Sequence, residues 1–172
     1  MPQAGLFASF AFLRRGPLTL LASGGYDSGG ASSTVRGDPS SLALHHLHLG
    51  VEGRWAFTKW LYASLLVAPA ANFLAASVDD GASPAPLVSR RWSGGLDTAA
   101  GVGLLLGAAG NDESPSARFW LIYDLGYSFA GLSPMTLAPE LDRNDPRQIG
   151  ALTLPSIRPG GVASSLAFAV SF

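Results

Sequence analysis

The chain contains no cysteine. A disulfide framework and a thiolate metal site are thereby excluded, while passage through an oxidising compartment stays open. Charge is also scarce, at 13% of residues, against about 25% in ordinary soluble domains. The formal net charge of −1 and pI near 6.3, with no basic run longer than Arg14-Arg15 and Arg90-Arg91, exclude nucleic acid as the expected partner. Long apolar runs are nearly absent too. The stretch 60–78, "WLYASLLVAPAANFLAASV", is long enough for a transmembrane helix. Pro69 interrupts it at its centre, however, and Ser64, Asn72 and Ser77 dilute it. The next candidate, "TAAGVGLLLGAAG", is bracketed by Asp97 and Asp112 and is too short, and neither stretch has a positive-inside flank. No basic segment followed by an apolar core and cleavage site precedes Gly5, so no export leader is legible.

What is present is glycine and proline, 21 and 12 of 172 residues, and between these turn formers a strict period of two. In "RFWLIYDLGYSF" (118–129), Phe119, Leu121, Tyr123, Leu125, Tyr127 and Phe129 share one face, with Arg118, Trp120, Ile122, Asp124, Gly126 and Ser128 on the other. "LALHHLHLGVEGRWAF" sets Leu47, Leu49, Val51, Trp55 and Phe57 against His46, His48, Gly50, Glu52 and Arg54. "RWSGGLDTAAGVGLLLG" sets Trp92, Leu96, Val102, Leu104 and Leu106 against Ser93, Gly95, Asp97, Gly101 and Gly103. Alternation at 180° per residue predicts strands. Large apolar side chains on one face require an apolar medium there, and the small and polar residues opposite suit a narrow, filled lumen. With "GLFASFAFL", "LTLLASG" and the C-terminal nonapeptide, about seven segments have the length of transmembrane strands. Aromatic residues around "AFTKW" (Trp55, Phe57, Trp60, Tyr62) and on one face of 123–129 are placed as interfacial girdles would be. The competing reading is a soluble lipocalin-like barrel binding a small apolar ligand.

Links alternate in length. Those at 14–17, 56–60 and 107–117 are short, whereas 26–41, 77–90 and 131–159 are long and rich in Gly, Pro, Ser and Asp. Short periplasmic turns and long extracellular loops then orient segments near 5–13, 41–57, 91–107 and 161–172 inward, and those near 17–26, 60–76 and 118–130 outward. Seven is odd where single-chain bacterial barrels are even. The reading is thus one barrel domain over 1–172, whose leader and first strand would lie upstream of Met1, or whose eighth strand is "IGALTL" (149–154). Pro69 predicts a bulge or early strand end.

The terminal "SSLAFAVSF", with Leu166, Phe168, Val170 and Phe172 alternating up to the last residue, resembles the C-terminal signal of bacterial outer-membrane proteins. The whole chain is similar to small OmpA-like or OmpX-like barrels. The resemblance implies an all-β, antiparallel, up-and-down transmembrane barrel of about eight strands in the outer membrane of a Gram-negative cell envelope. It also implies outer-membrane lipid and the barrel assembly machinery as partners, the latter through the C-terminal strand; any extracellular partner is left unidentified.

Chemistry has few candidates. His46, His48 and Glu52 share one strand face, and imidazoles at i and i+2 could share a divalent metal if Asn72 or Asp97 added a ligand. Two ligands fall short of the three or four that a site needs, so His46 and His48 are read as lumen-lining residues, with no metal or cofactor assigned. Some outer-membrane barrels are lipid-modifying hydrolases using Ser, His and a carboxylate. His45 points toward lipid in this register, but no His-x-Ser or Gly-x-Ser-x-Gly arrangement accompanies it, so a non-enzymatic, structural or surface-recognition role is expected. Glu52, Arg54, Asp97, Arg118 and Asp124 are expected to form a paired polar network in a lumen too narrow for a wide pore. The acids Glu140, Asp142 and Asp145 alternate with Arg143 and Arg147 without calcium-loop spacing.

Overall fold

The computed structural model describes residues 3–35, 38–79, 86–111, 114–131, 133–139, 152–157 and 160–172. The described residues form a single antiparallel meander. Its strands are β1 (Gln3–Arg15), β2 (Leu18–Val35), β3 (Asp38–Ala56), β4 (Leu61–Val78), β5 (Leu87–Asn111), β6 (Ser114–Ala130) and β9 (Gly161–Ser171), paired in that order. Two short strands, β7 (Ser133–Pro139) and β8 (Leu152–Ile157), form a side hairpin, with β7 also touching the start of β5 at Leu87 and Val88. Among the described residues no helix is long and apolar enough to cross a membrane, and the apolar stretch 60–78 is largely β4.

Every neighbouring pair from β1 to β9 is antiparallel. The edge strands β1 and β9 therefore run in the same direction, and among the described residues no ladder joins them. The expected extra strand falls partly outside the described residues, at 149–151. Its remainder, 152–154, belongs to β8, which among the described residues pairs with β7 alone and so adds nothing to the main wall there.

The registers align one face across the whole sheet. Tyr26 stands opposite Leu47, Trp55 opposite Ala63, Ala63 opposite Val102, Val102 opposite Tyr123, and Tyr123 opposite Leu166. Leu49, Val51, Leu65, Leu96, Leu125 and Phe168 on this face are exposed. On the opposite face Leu21, Ser23, Tyr62, Ala68, Asn72, Leu74 and Ile122 are buried. Among the described residues no second layer covers the sheet, and a single sheet buries one face only by curling around it, so this buried face is the concave interior.

Three expectations are corrected by the ladders. Residues 26–41 had the composition of a loop, yet β2 and β3 stay in unbroken register from Leu18 opposite Trp55 to Val35 opposite Asp38. Cross-strand pairing outweighs the low strand propensity of Gly and Ser. The described part of the link 107–117 is likewise strand, with β5 running to Asn111 and β6 starting at Ser114. Pro69 causes neither a bulge nor a stop, because β4 passes through it and pairs Pro69 with Leu96 of β5. On the β3 side the ladder pauses at 49–50 and resumes in the same register at Val51 opposite Val67. Gly50 allows the close approach there, since a Cβ would collide with Val67 O and Ala68.

Glycine also shapes the interior. The Tyr62 ring lies in the space over Gly103 where a Cβ would be, and Tyr62 is buried. This overturns its expected place in the outward girdle. Gly103→Val should force the ring aside and destabilise the fold by about 1–3 kcal/mol. Gly107→Ala, whose Cβ would meet open space, should change stability by less than about 0.5 kcal/mol. Urea unfolding followed by tryptophan fluorescence measures both.

Candidate functional site

Polar side chains on the concave face gather in two clusters. Nearer the β3–β4 turn, Glu52 accepts from Arg54, with Nε to Oε1 at 2.5 Å and Nη2 to Oε2 at 3.2 Å. Both residues point inward from β3. Ser23 of β2 places its hydroxyl 2.8 Å from Glu52 Oε2 and 2.8 Å from Ser9 Oγ of β1. The Arg54 guanidinium lies over the Tyr62 ring, 4.9 Å from its centroid, and Tyr62 meets Trp120 edge-on at 5.1 Å. Trp120 in turn donates from Nε1 to Ser171 Oγ at 3.1 Å. This cluster therefore ties β1, β2, β3, β4, β6 and β9 together from the inside. Asp124 joins the same region, its carboxylate lying over the notch of Gly101 beside Ser64.

The second cluster lies farther along the strands. His46 faces Asn72 Oδ1 through Nδ1 and Asp97 Oδ2 through Nε2, both at 2.7 Å. His48 lies in the notch of Gly25, and Asp27 lies over Gly5. The His46 and His48 ring centroids are 5.7 Å apart. Asn72 is fully buried, and its Nδ2, like Asp97 Oδ1, makes no hydrogen bond among the described residues.

The residues named from sequence thus divide. Glu52 and Arg54 pair directly, with Asp124 nearby, whereas Asp97 belongs with His46. Glu52, although on the same strand face as His46 and His48, serves the other cluster. Arg118 is exposed at the start of the part of β6 that pairs with β9, in register with Ser171. Among the described residues no hydrogen bond or ion pair is found for it. Leu166, Phe168 and Val170 face outward along β9, and Phe172 follows its end fully exposed. The loop acids Glu140, Asp142 and Asp145 lie outside the described residues. Sequence reasoning missed Asp27, which falls in a segment read as loop, and Ser9, Ser23 and Tyr62; extending the period of two through 26–35 would have placed Asp27 on the inner face.

The outer face carries a chain of rings across four strands. Tyr26 Oη lies 2.6 Å from His45 Nδ1, with the rings stacked at 6.1 Å. His45 contacts Phe73 at 5.9 Å, and Phe73 contacts Trp92 at 5.1 Å. Trp55, Phe57 and Trp60 are exposed at the opposite end of the wall. Protein-family models, curated proteins and solved structures offer no match to this chain.

The Glu52–Arg54 pair is mostly withdrawn from solvent, with side-chain exposures of 13% and 20%. Removing one member strands the other. Glu52→Leu should cost about 3 kcal/mol and Glu52→Leu/Arg54→Leu distinctly less, while Arg118→Ala should stay within about 0.5 kcal/mol. Chemical denaturation of the three variants tests the ordering.

Proposed function

We propose that the chain is an integral outer-membrane β-barrel of the small OmpA-like or OmpX-like kind, with a structural or surface-recognition role and no catalytic activity. The observation that carries this reading is the inversion of the sheet: the convex face bears an almost continuous apolar band, while the concave face is lined by hydrogen-bonded polar groups. In water that arrangement would expose the wrong side; in lipid it is the stable one, because alternate residues meet acyl chains and an internal polar space.

The height of the band supports the same conclusion. Ten residue steps along β3 separate His45, in the ring chain at one end, from Trp55 at the other. At about 3.4 Å per residue and a tilt of about 35–45°, these steps rise about 24–28 Å. The apolar belt of outer-membrane barrels is about 25 Å tall. Aromatic residues at its two margins are placed as interfacial anchors, with Tyr26, Phe73 and Trp92 at one and Trp55, Phe57 and Trp60 at the other. A lipocalin-like pocket is disfavoured by the interior itself, where Ser23, Glu52, Arg54, Asn72 and Asp97 occupy the place an apolar ligand would need.

In this proposal the β1–β2, β3–β4 and β5–β6 turns face the periplasm, while the β2–β3 hairpin and the β4–β5 and β6–β9 connections face outside. The outward side chains of β9, ending at Phe172, are the surface offered to the barrel assembly machinery. The parallel run of β1 and β9 fits a wall completed by one further strand antiparallel to both, which would satisfy the two edges that lipid cannot. The interior is plugged by its own side chains, so the barrel acts by spanning the membrane and presenting its outer connections.

Brominated phospholipids test the orientation through the four tryptophans. In bilayers, variants retaining Trp55, Trp60 or Trp92 alone should be quenched, whereas one retaining only the inward Trp120 should be far less affected. Equal quenching of all four, or none in a chain that folds without lipid, would overturn the proposal. Leu125→Arg, on the convex face, should cost about 2–4 kcal/mol of bilayer-folded stability, measured by denaturant titration in vesicles.

A further inference from the structure

The second polar cluster contains more than a hydrogen-bond network needs. Asp27, His46 and His48 each present a ligand atom within 4.8 Å of the others, all three half-buried. Asp27 and His46 are direct register partners across β2 and β3, and His48 is the next inward residue on the same strand. The sequence pattern supplied the two imidazoles; the unbroken β2–β3 ladder supplies the carboxylate that the pair lacked.

We propose that Asp27, His46 and His48 form a binding site for a divalent transition-metal ion of the zinc type on the concave face of β2 and β3. Two imidazoles and a carboxylate suit zinc and its borderline neighbours better than calcium or magnesium, which favour oxygen ligands. Tetrahedral zinc with ligands at about 2.0–2.2 Å brings its donor atoms to about 3.3 Å from one another. Closing the triad from its present spacing takes side-chain adjustment and no change in strand register. Three protein ligands leave the fourth position open, as in sites that keep a water or an exogenous ligand.

The surroundings point the same way. Each His46 ring nitrogen has a partner on a neighbouring strand, Asn72 on β4 and Asp97 on β5, both at 2.7 Å. Whichever nitrogen binds the ion, the other keeps a partner that fixes the ring, the usual outer arrangement around a metal-bound histidine. Asn72 beside it is 0% exposed with its amide nitrogen unpartnered. A buried amide with unused hydrogen-bonding capacity costs stability unless something polar meets it; a water or exogenous ligand at the open position would meet it. His48 and Asp27 rest in glycine notches on the adjoining strands, which leave room for their side chains beside the wall. The site lies within four consecutive strands and does not rest on the membrane assignment.

Zinc chloride titrated calorimetrically into the full-length, untagged folded chain is the first test. One saturable equivalent should bind, with affinity falling at least about tenfold in His48→Ala and in Asp27→Asn. His45→Ala, which removes the outward histidine, should bind as the parent does, and circular dichroism checks that each variant is folded. The parent chain should also give, with cobalt(II), the intense visible bands of a four-coordinate site, a readout that needs no variant. Absence of saturable binding together with absence of those bands would overturn the proposal. So would wild-type affinity in both folded ligand variants, or a loss in His45→Ala equal to that in His48→Ala.

Discussion

Everything in this fold depends on the two-residue period being held in phase across seven strands. A slip of one residue in any ladder would send His46, Glu52 or Asp97 to the convex side and bring leucines inward. The ladders prevent this by running long, with β2 and β3 paired through nearly their whole lengths and β4 paired with β5 from end to end of β4. The register shifts within the β1–β9 wall fall near the short-turn end, between Ala11 and Leu13, Leu105 and Gly107, and Ala109 and Gly110. Over the central wall the faces therefore stay separate.

Phase alone would leave an interior of unmatched polar groups, which costs more than an apolar one. The two clusters meet that demand differently. Around Glu52 and Arg54 the requirement is met by charge pairing, serine hydroxyls and an aromatic face, within a group that reaches both edge strands, except at Tyr62 Oη, which has no partner among the described residues. Around His46 it is met only in part, since Asn72 Nδ2 and Asp97 Oδ1 lack protein partners among the described residues. Between the clusters Ala68 and Ala70 are buried, so small apolar side chains line the interior there. One cluster spans the wall to both edge strands, and the other holds the triad proposed as a metal site.

The strand faces were legible because periodicity and packing agree: His46, Glu52 and Arg54 point where alternation puts them, and so do Leu49, Val51 and Leu125. Strand ends were less legible. Gly, Ser and Asp in 26–41 have turn-like intrinsic preferences, which a long ladder overrides. That single misreading concealed Asp27, so only Asn72 and Asp97 were in view as a third ligand for the histidine pair. Tyr62 was misplaced for another reason. Its neighbours Trp55, Phe57 and Trp60 face outward around a turn, and only the register opposite Gly103 reveals that Tyr62 turns inward. Cross-strand notches are set by which residues stand opposite, information that no single segment carries.

The tall β2–β3 hairpin has a mechanical consequence. From Tyr26, at the margin of the apolar belt, to Val35 the ladder continues for nine residue steps, about 30 Å of paired strand. A post of this kind resists bending in the plane of its hydrogen bonds and yields more readily across it, so its outer end sweeps an arc. Whatever meets that end encounters a surface already ordered in one dimension, and association there loses less freedom than it would at a slack loop of equal length.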